Sequence, residues 1–258
     1  MEILLILAIL PVYLICYYVY KKDTNKEPLG LLFKLLFFGV LSCFPVVFFE
    51  ILLGNLFPTE ENMNVITLFF YYLIVVAFVE ELFKFIFTYF GSYNHREFTN
   101  LYDMMIYATF VSLGFALFEN ILYVCQNSFH EGIFVGILRA LFAVPGHACF
   151  GLMMGYFLGL SKVAQYNNNQ SLLKKNMALS LFVPIMMHTF YDFALSVDNI
   201  YLLVILLIYI VWIYIFLIKK IKYISSYVSD FKICNNYCSY CGEKVIGNFC
   251  SKCGRKHN

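Results

Sequence analysis

Seven long apolar runs, separated by short polar connections, leave this chain few folds to adopt. They cover about Ile3 to Tyr20, Leu29 to Leu53, Val65 to Phe90, Tyr102 to Cys125, Ile133 to Leu160, Met177 to Leu195 and Ile200 to Ile218. Each reaches or approaches the roughly 20 residues that a helix needs to cross a bilayer core. Hydrocarbon offers no water to the backbone, so spans of this kind are helical. With 62% hydrophobic and 13% charged residues, an ordinary soluble domain is excluded. The expected fold class is an all-α polytopic membrane protein of about seven transmembrane helices, occupying residues 1–222.

The placement of the basic residues predicts an orientation. Lys21, Lys22 and Lys26 follow the first run, Arg96 the third, Lys162, Lys174 and Lys175 the fifth, and Lys219, Lys220 and Lys222 the seventh. The alternate connections, Gly54 to Asn64, Gln126 to Gly132 and Ser196 to Asn199, contain neither Lys nor Arg. The positive-inside rule then places the N-terminus outside and the C-terminus in the cytoplasm, in what is expected to be the cell membrane. Met1 to Tyr20 has no basic leader and no small-residue cleavage site, and it ends in Lys21-Lys22, so it reads as a retained span. The Lys21 to Pro28 turn reads as solvated, and Glu50, near the outer end of its span, as snorkelling to water.

Charge inside the apolar runs needs a cause. An ionisable side chain at membrane depth costs about 2.5 to 3.5 kcal/mol on insertion scales. The third run nevertheless carries Glu80, Glu81 and Lys84. A helix brings Lys84 within reach of Glu80 at i,i+4 and of Glu81 at i,i+3, so it can neutralise one carboxylate and leave the other available. The fourth run holds Phe115, Glu119 and Asn120, where polar groups must face the bundle, either as site or as interhelical glue. The fifth holds Arg139 and then Pro145-Gly146-His147, a pair expected to break or kink the helix just before the imidazole. Gly151, Gly155 and Gly159 repeat every four residues and predict close helix packing. In the sixth run His188 and Asp192 share a helical face, so the carboxylate can orient the ring.

The cysteines fall into two groups. Cys16, Cys43, Cys125 and Cys149 lie in the spans and behave as small hydrophobes. Cys238, Cys241, Cys250 and Cys253 form two C-x2-C knuckles, each followed by Gly, at a spacing that suits tetrahedral zinc. Residues 237–258 are therefore expected to be a cytoplasmic zinc ribbon joined by a linker over residues 223–236. A segment this short has little core without metal. A ribbon with few aromatics fits a cytosolic protein partner better than nucleic acid.

Taken together, Glu80-Glu81 with Lys84, Phe115 with Glu119, and His188 with Asp192 resemble, in order, the intramembrane motifs of the PrsW family of membrane proteases, relatives of the prenyl-protein endopeptidases. The likeness extends over most of residues 15 to 195, including the Lys26-Glu27-Pro28 turn and the Pro-Gly-His147 segment. It implies a polytopic endopeptidase that cleaves a membrane-anchored substrate at or near the bilayer, an anti-sigma factor in the family's best known role. The ribbon lies outside the likeness.

Peptide hydrolysis needs an activated water, a stabilised oxyanion and a proton for the leaving amine. Glu80 is the expected general base, with Glu81 its alternate. His147 and His188 are expected at the oxyanion or as proton donors, Asp192 orients His188, and Glu119 and Asn120 position the water or the helix that carries it. Zinc on His147, His188 and one or two carboxylates is the other possibility, although no His-Glu-x-x-His helix is present. A transporter would be expected to show repeated halves, which are not found, and an inactive scaffold presenting the ribbon would tolerate loss of Glu80.

Overall fold

A computed structural model describes residues 2–23, 25–57 and 63–226. The ribbon cysteines Cys238, Cys241, Cys250 and Cys253, with most of the linker, lie outside the described residues. Among the described residues the chain is helical, without strands.

Helix α1 (Glu2–Lys22) ends at its paired lysines, and Pro28 stands at the start of α2 (Leu29–Gly54). Helix α3 (Val65–Tyr71) opens with Asn64 accepting from the Thr67 N–H. It continues through a first π segment, Tyr72–Ala77, into α4 (Phe78–Ser92). Helix α5 (Leu101–Gln126) begins with a capping box in which the Asn100 and Asp103 side chains each accept the other end's backbone N–H. Helix α6 (Phe129–Leu138) passes through a second π segment, Arg139–Ala143, into α7 (Val144–Tyr166). Helices α8 (Gln170–Ser196) and α9 (Ile200–Ser226) complete the bundle.

Six of the resulting rods are long and apolar enough to cross a membrane, and α9 carries a seventh apolar stretch, Ile200–Phe216. The protein is an integral membrane protein. Large apolar side chains on α1, α2 and α9, such as Phe33, Phe48 and Trp212, are exposed, as a surface that meets lipid requires.

Helix α5 is the centre of the bundle, with every residue from Leu101 to Ala116 buried. Its neighbours approach closely because facing residues are small. Gly39 of α2 and Gly114 of α5 meet so tightly that a Cβ on either would fall on a backbone carbonyl of the other helix, Val111 or Leu36. On α7, a Cβ at Gly151 would stand 2.6 Å from Ser112 Cβ, and one at Gly155 2.6 Å from Met105 Cα. The four-residue glycine repeat of α7 is thus a packing device against α5.

Two local expectations change. The rod containing Pro145 is not broken; it stays helical, and the irregularity is the π segment that ends immediately before Val144. The α1–α2 turn is also not uniformly solvated, since Asp23 and Glu27 are buried. Tyr107 of α5 donates to Glu27 Oε2, and the Glu27 N–H donates to Asp23 Oδ2 at 3.0 Å. Burial, reinforced by the charge of neighbouring Asp103, pushes the Glu27 carboxyl up to about 9.

Candidate active site

The polar groups of the apolar runs converge into one buried chain of contacts. On α4, Lys84 Nζ lies 2.8 Å from Glu80 Oε2 and 2.9 Å from Glu81 Oε1, so it holds both carboxylates rather than one. It also lies 3.1 Å from His147 Nδ1 of α7 and 4.0 Å from the centre of the Phe115 ring on α5. Phe115 therefore supplies an aromatic face under a desolvated ammonium.

From His147 the chain runs across the bundle. His147 Nε2 is 2.9 Å from Glu119 Oε2, and that oxygen is 2.7 Å from Arg139 Nη2. Arg139 Nε donates to Asn120 Oδ1 at 2.7 Å, while Asn120 Nδ2 donates to the Ala8 carbonyl of α1 at 3.3 Å. Asn120 thus ties α5 to α1 and to the π segment that carries Arg139. On the other side, His188 of α8 sets Nδ1 3.0 Å from Glu81 Oε1 and Nε2 3.2 Å from Asp192 Oδ2. The expected i,i+4 pair is present, and Glu81 adds a partner from another helix.

A cavity of about 790 Å³ opens onto this chain. Glu80, Glu119, Arg139, His147, His188 and Asp192 line it, whereas Glu81, Lys84 and Asn120 stand behind the wall. The two adjacent acids are thereby distinguished: Glu80 reaches the cavity, and Glu81, fully buried, holds His188 and Lys84 in place. Both π segments border the cavity, through Tyr72, Val75 and Val76 on one side and Arg139, Phe142 and Ala143 on the other. Such segments widen a helix locally and turn its side chains relative to a regular α-helix.

Glu50 also lines the cavity rather than serving only as a surface group. The sequence carried a signal for this, because Cys43, Val46, Val47 and Glu50 recur at helical spacing and share one face of α2. Tyr123 and Tyr191 likewise line the cavity and were not singled out by their position in the sequence. The Arg139 guanidinium lies 4.3 Å from the centre of the Tyr123 ring.

Glu80, His147 and His188 each offer one ligand atom, and these atoms lie within 4.8 Å of one another. Two imidazoles and a carboxylate are a donor set of catalytic zinc sites. Glu119 and Asp192 sit on the Nε2 atoms of the two histidines, as carboxylates do behind metal-binding imidazoles. The residues present thus fit a divalent ion in donor chemistry, with the Lys84 ammonium as its competitor among the same atoms.

A family profile described as PrsW family intramembrane metalloprotease matches residues 27–218. Protease PrsW of Oceanobacillus iheyensis is 36% identical over 189 residues, covering 73% of this chain and 81% of that protein. Protease PrsW of Halalkalibacterium halodurans is 32% identical over 210 residues, 81% of this chain and 90% of that protein. The Bacillus subtilis Protease PrsW is 33% identical over 183 residues, 71% and 78% of the two chains. No solved structure matches. A polytopic helical bundle with its buried acids and histidines gathered on one cavity, matched over most of its length, belongs to the PrsW family of intramembrane proteases.

Proposed function

We propose that this intramembrane endopeptidase hydrolyses a peptide bond of a membrane-anchored protein with water activated by Glu80. The observation that carries the assignment is that Glu80 reaches the cavity while its neighbour Glu81 does not. In the reaction Glu80 takes a proton from water, the water oxygen attacks the scissile carbonyl carbon, and the carbonyl oxygen becomes the oxyanion. The C–N bond then breaks, and the amine leaves with a proton.

Lys84 fixes the Glu80 carboxylate. His188 lies between two acceptors, Glu81 and Asp192, so both its nitrogens donate only when the ring is doubly protonated. In that state its positive charge stabilises the oxyanion, and the Nε2 proton, held against Asp192 on the cavity wall, passes to the leaving amine. Arg139 shares the oxyanion as a cation on the cavity wall, held there by Glu119 at 2.7 Å from its Nη2. His147 and Glu119 couple these two halves of the site.

A second reading is favoured by the donor set of Glu80, His147 and His188, which would hold a divalent ion such as zinc. Held there, such an ion would supply Lewis-acid chemistry, namely a more acidic water and polarisation of the scissile carbonyl. Glu119 and Asp192 would then keep the two imidazoles oriented.

The cavity is lined by the ends of α2, α5 and α8 that follow their cytoplasmic starts in the positive-inside assignment. This supports cleavage in the outer half of the cell membrane, with the N-terminus outside. The tail, with Cys238, Cys241, Cys250 and Cys253, would hold zinc and present a ribbon to a cytosolic protein.

The test compares single-span proteins in membranes from cells carrying the wild type, Glu80→Gln, Glu81→Gln or His188→Ala. Fragments are expected with the wild type and lost with Glu80→Gln and His188→Ala at equal protein levels. Identical profiles from wild type and Glu80→Gln would overturn the assignment.

A further inference from the structure

Proline at position 145 removes the backbone N–H that, in α-helical register, would bond the Leu141 carbonyl. Leu141 belongs to the second π segment, between Arg139 and His147. A carbonyl left without a partner at membrane depth is costly, because no water replaces the lost donor. Its partner comes from the last helix: Tyr214 of α9 donates its hydroxyl to the Leu141 carbonyl at 2.5 Å. A second hydroxyl of α9, that of Tyr209, donates to the Met187 carbonyl at 3.1 Å, immediately before His188.

We propose that Tyr214 is a positioning residue for the reaction, supplying through its hydroxyl the hydrogen bond that Pro145 cannot give and thereby holding the π turn that presents Arg139. The claim rests on the proposed peptide hydrolysis and extends it to α9. Without the hydroxyl a regular helix still offers Leu141 no donor, because position 145 is Pro, so the carbonyl turns towards the Gly146 N–H one residue further on and the π segment shifts with it. A shift of one residue there rotates Arg139 by about 100° about the helix axis, away from Glu119 and the cavity. The Tyr209 bond fixes the same helix beside His188, so α9 braces both halves of the site.

The distinguishing measurement is a double-mutant cycle. Tyr214→Phe deletes the hydroxyl and keeps the ring, and Pro145→Ala restores a backbone N–H for Leu141. In otherwise wild-type protein, Tyr214→Phe is expected to slow fragment release about threefold to tenfold, the range that one hydrogen bond of this kind provides. In the Pro145→Ala background the same change is expected to cost less than about twofold. An equal loss in both backgrounds overturns the proposal.

Thermal unfolding of the detergent-purified full chain is read on the same four proteins, so the cycle survives an inactive Pro145→Ala variant. A Tyr214→Phe shift that vanishes in the Pro145→Ala background supports the bond, and an additive shift refutes it. Coupling in the thermal midpoint without coupling in fragment release makes Tyr214 structural only and overturns the positioning role. If wild type and Glu80→Gln release the same fragments, it is the hydrolysis reading that has failed, and the thermal cycle still decides whether the bond exists.

Discussion

Lys84 Nζ stands 3.1 Å from His147 Nδ1, and this contact fixes the state of the histidine. An ammonium only donates, so Nδ1 must accept, and the ring proton is left on Nε2, 2.9 Å from the Glu119 carboxylate. His147 is thus expected as the neutral Nε2–H tautomer in nitrogen-15 NMR of histidine-labelled protein, with Lys84→Met releasing that preference. The same substitution leaves Glu80 and Glu81 side by side without their shared cation. Removing one partner of a buried ion pair typically costs about 3–5 kcal/mol, so Lys84→Met is expected to lower the thermal midpoint sharply. An unchanged midpoint together with an unchanged tautomer would mean that Lys84 does not occupy this position.

A pH effect on stability follows from Glu27, far along α5 from the cavity. Burial first, then the charge of Asp103, raises its carboxyl from 4.5 to about 9 in the folded protein, while the unfolded chain keeps the ordinary value. Between these values the folded state binds more protons than the unfolded one, so this group makes stability fall as pH rises. The loss begins near pH 4.5 and is complete above about 9. Glu27→Gln imitates the protonated form: its carbonyl can accept from Tyr107, and its amide can donate to Asp103 Oδ1, a buried atom without a hydrogen-bond partner. The variant is expected to unfold at higher temperature than wild type at pH 8, with the difference shrinking towards pH 5. The opposite trend would place a charged Glu27 in the folded state.

These two cases mark how far the sequence could be read. Glu80, Glu81 and Lys84, and His188 with Asp192, were legible because charge inside an apolar run is rare and helical spacing alone pairs the residues. Glu27 was not, because its turn is rich in charge, and only the docking of that turn against Tyr107 buries it. Glu50 lies near the end of a span, where a solvated carboxylate is the ordinary case, so its place on the cavity wall depends on where α2 crosses α5. The ion pair between Glu119 and Arg139 joins residues 20 positions apart on different helices, and the π segment that turns Arg139 inward has no local composition to announce it. The seven runs were visible for the opposite reason, since the bilayer imposes length and hydropathy on each span by itself.

The crossing of α2 and α5 gives a stability prediction with its own control. A methyl group at Gly114 would fall on the Leu36 carbonyl, which is backbone and cannot rotate away. Overpacking of flexible side chains already costs about 1–3 kcal/mol, so Gly114→Ala is expected to lose at least that much and to reduce the yield of folded protein. Gly30, on the same helix as Gly39, has nothing within 4 Å of its added Cβ. Gly30→Ala is expected to leave the thermal midpoint unchanged or slightly raised. Equal behaviour of the two variants in a detergent melting assay would remove the close crossing from the account.

Metal dependence is the sharpest test of the chemistry. Four carboxylates, Glu80, Glu81, Glu119 and Asp192, share the cluster with two permanent cations, Lys84 and Arg139, leaving two negative charges to be balanced. One divalent ion balances both, and so do two protons, one of them on His188. Lys84 favours the second arrangement, because its ammonium already lies 2.8 Å from Glu80 and 3.1 Å from His147, two atoms that zinc would need at about 2.0–2.2 Å. An ion there must displace the ammonium from a bond it makes to Glu80. Activity is therefore expected to survive exhaustive chelation in a variant with Cys238, Cys241, Cys250 and Cys253 all changed to Ser, which removes the tail as a source of metal effects. Loss of fragment release on chelation, restored by added zinc, would move Glu80 from base to ligand and require Lys84 to pair with Glu81 alone.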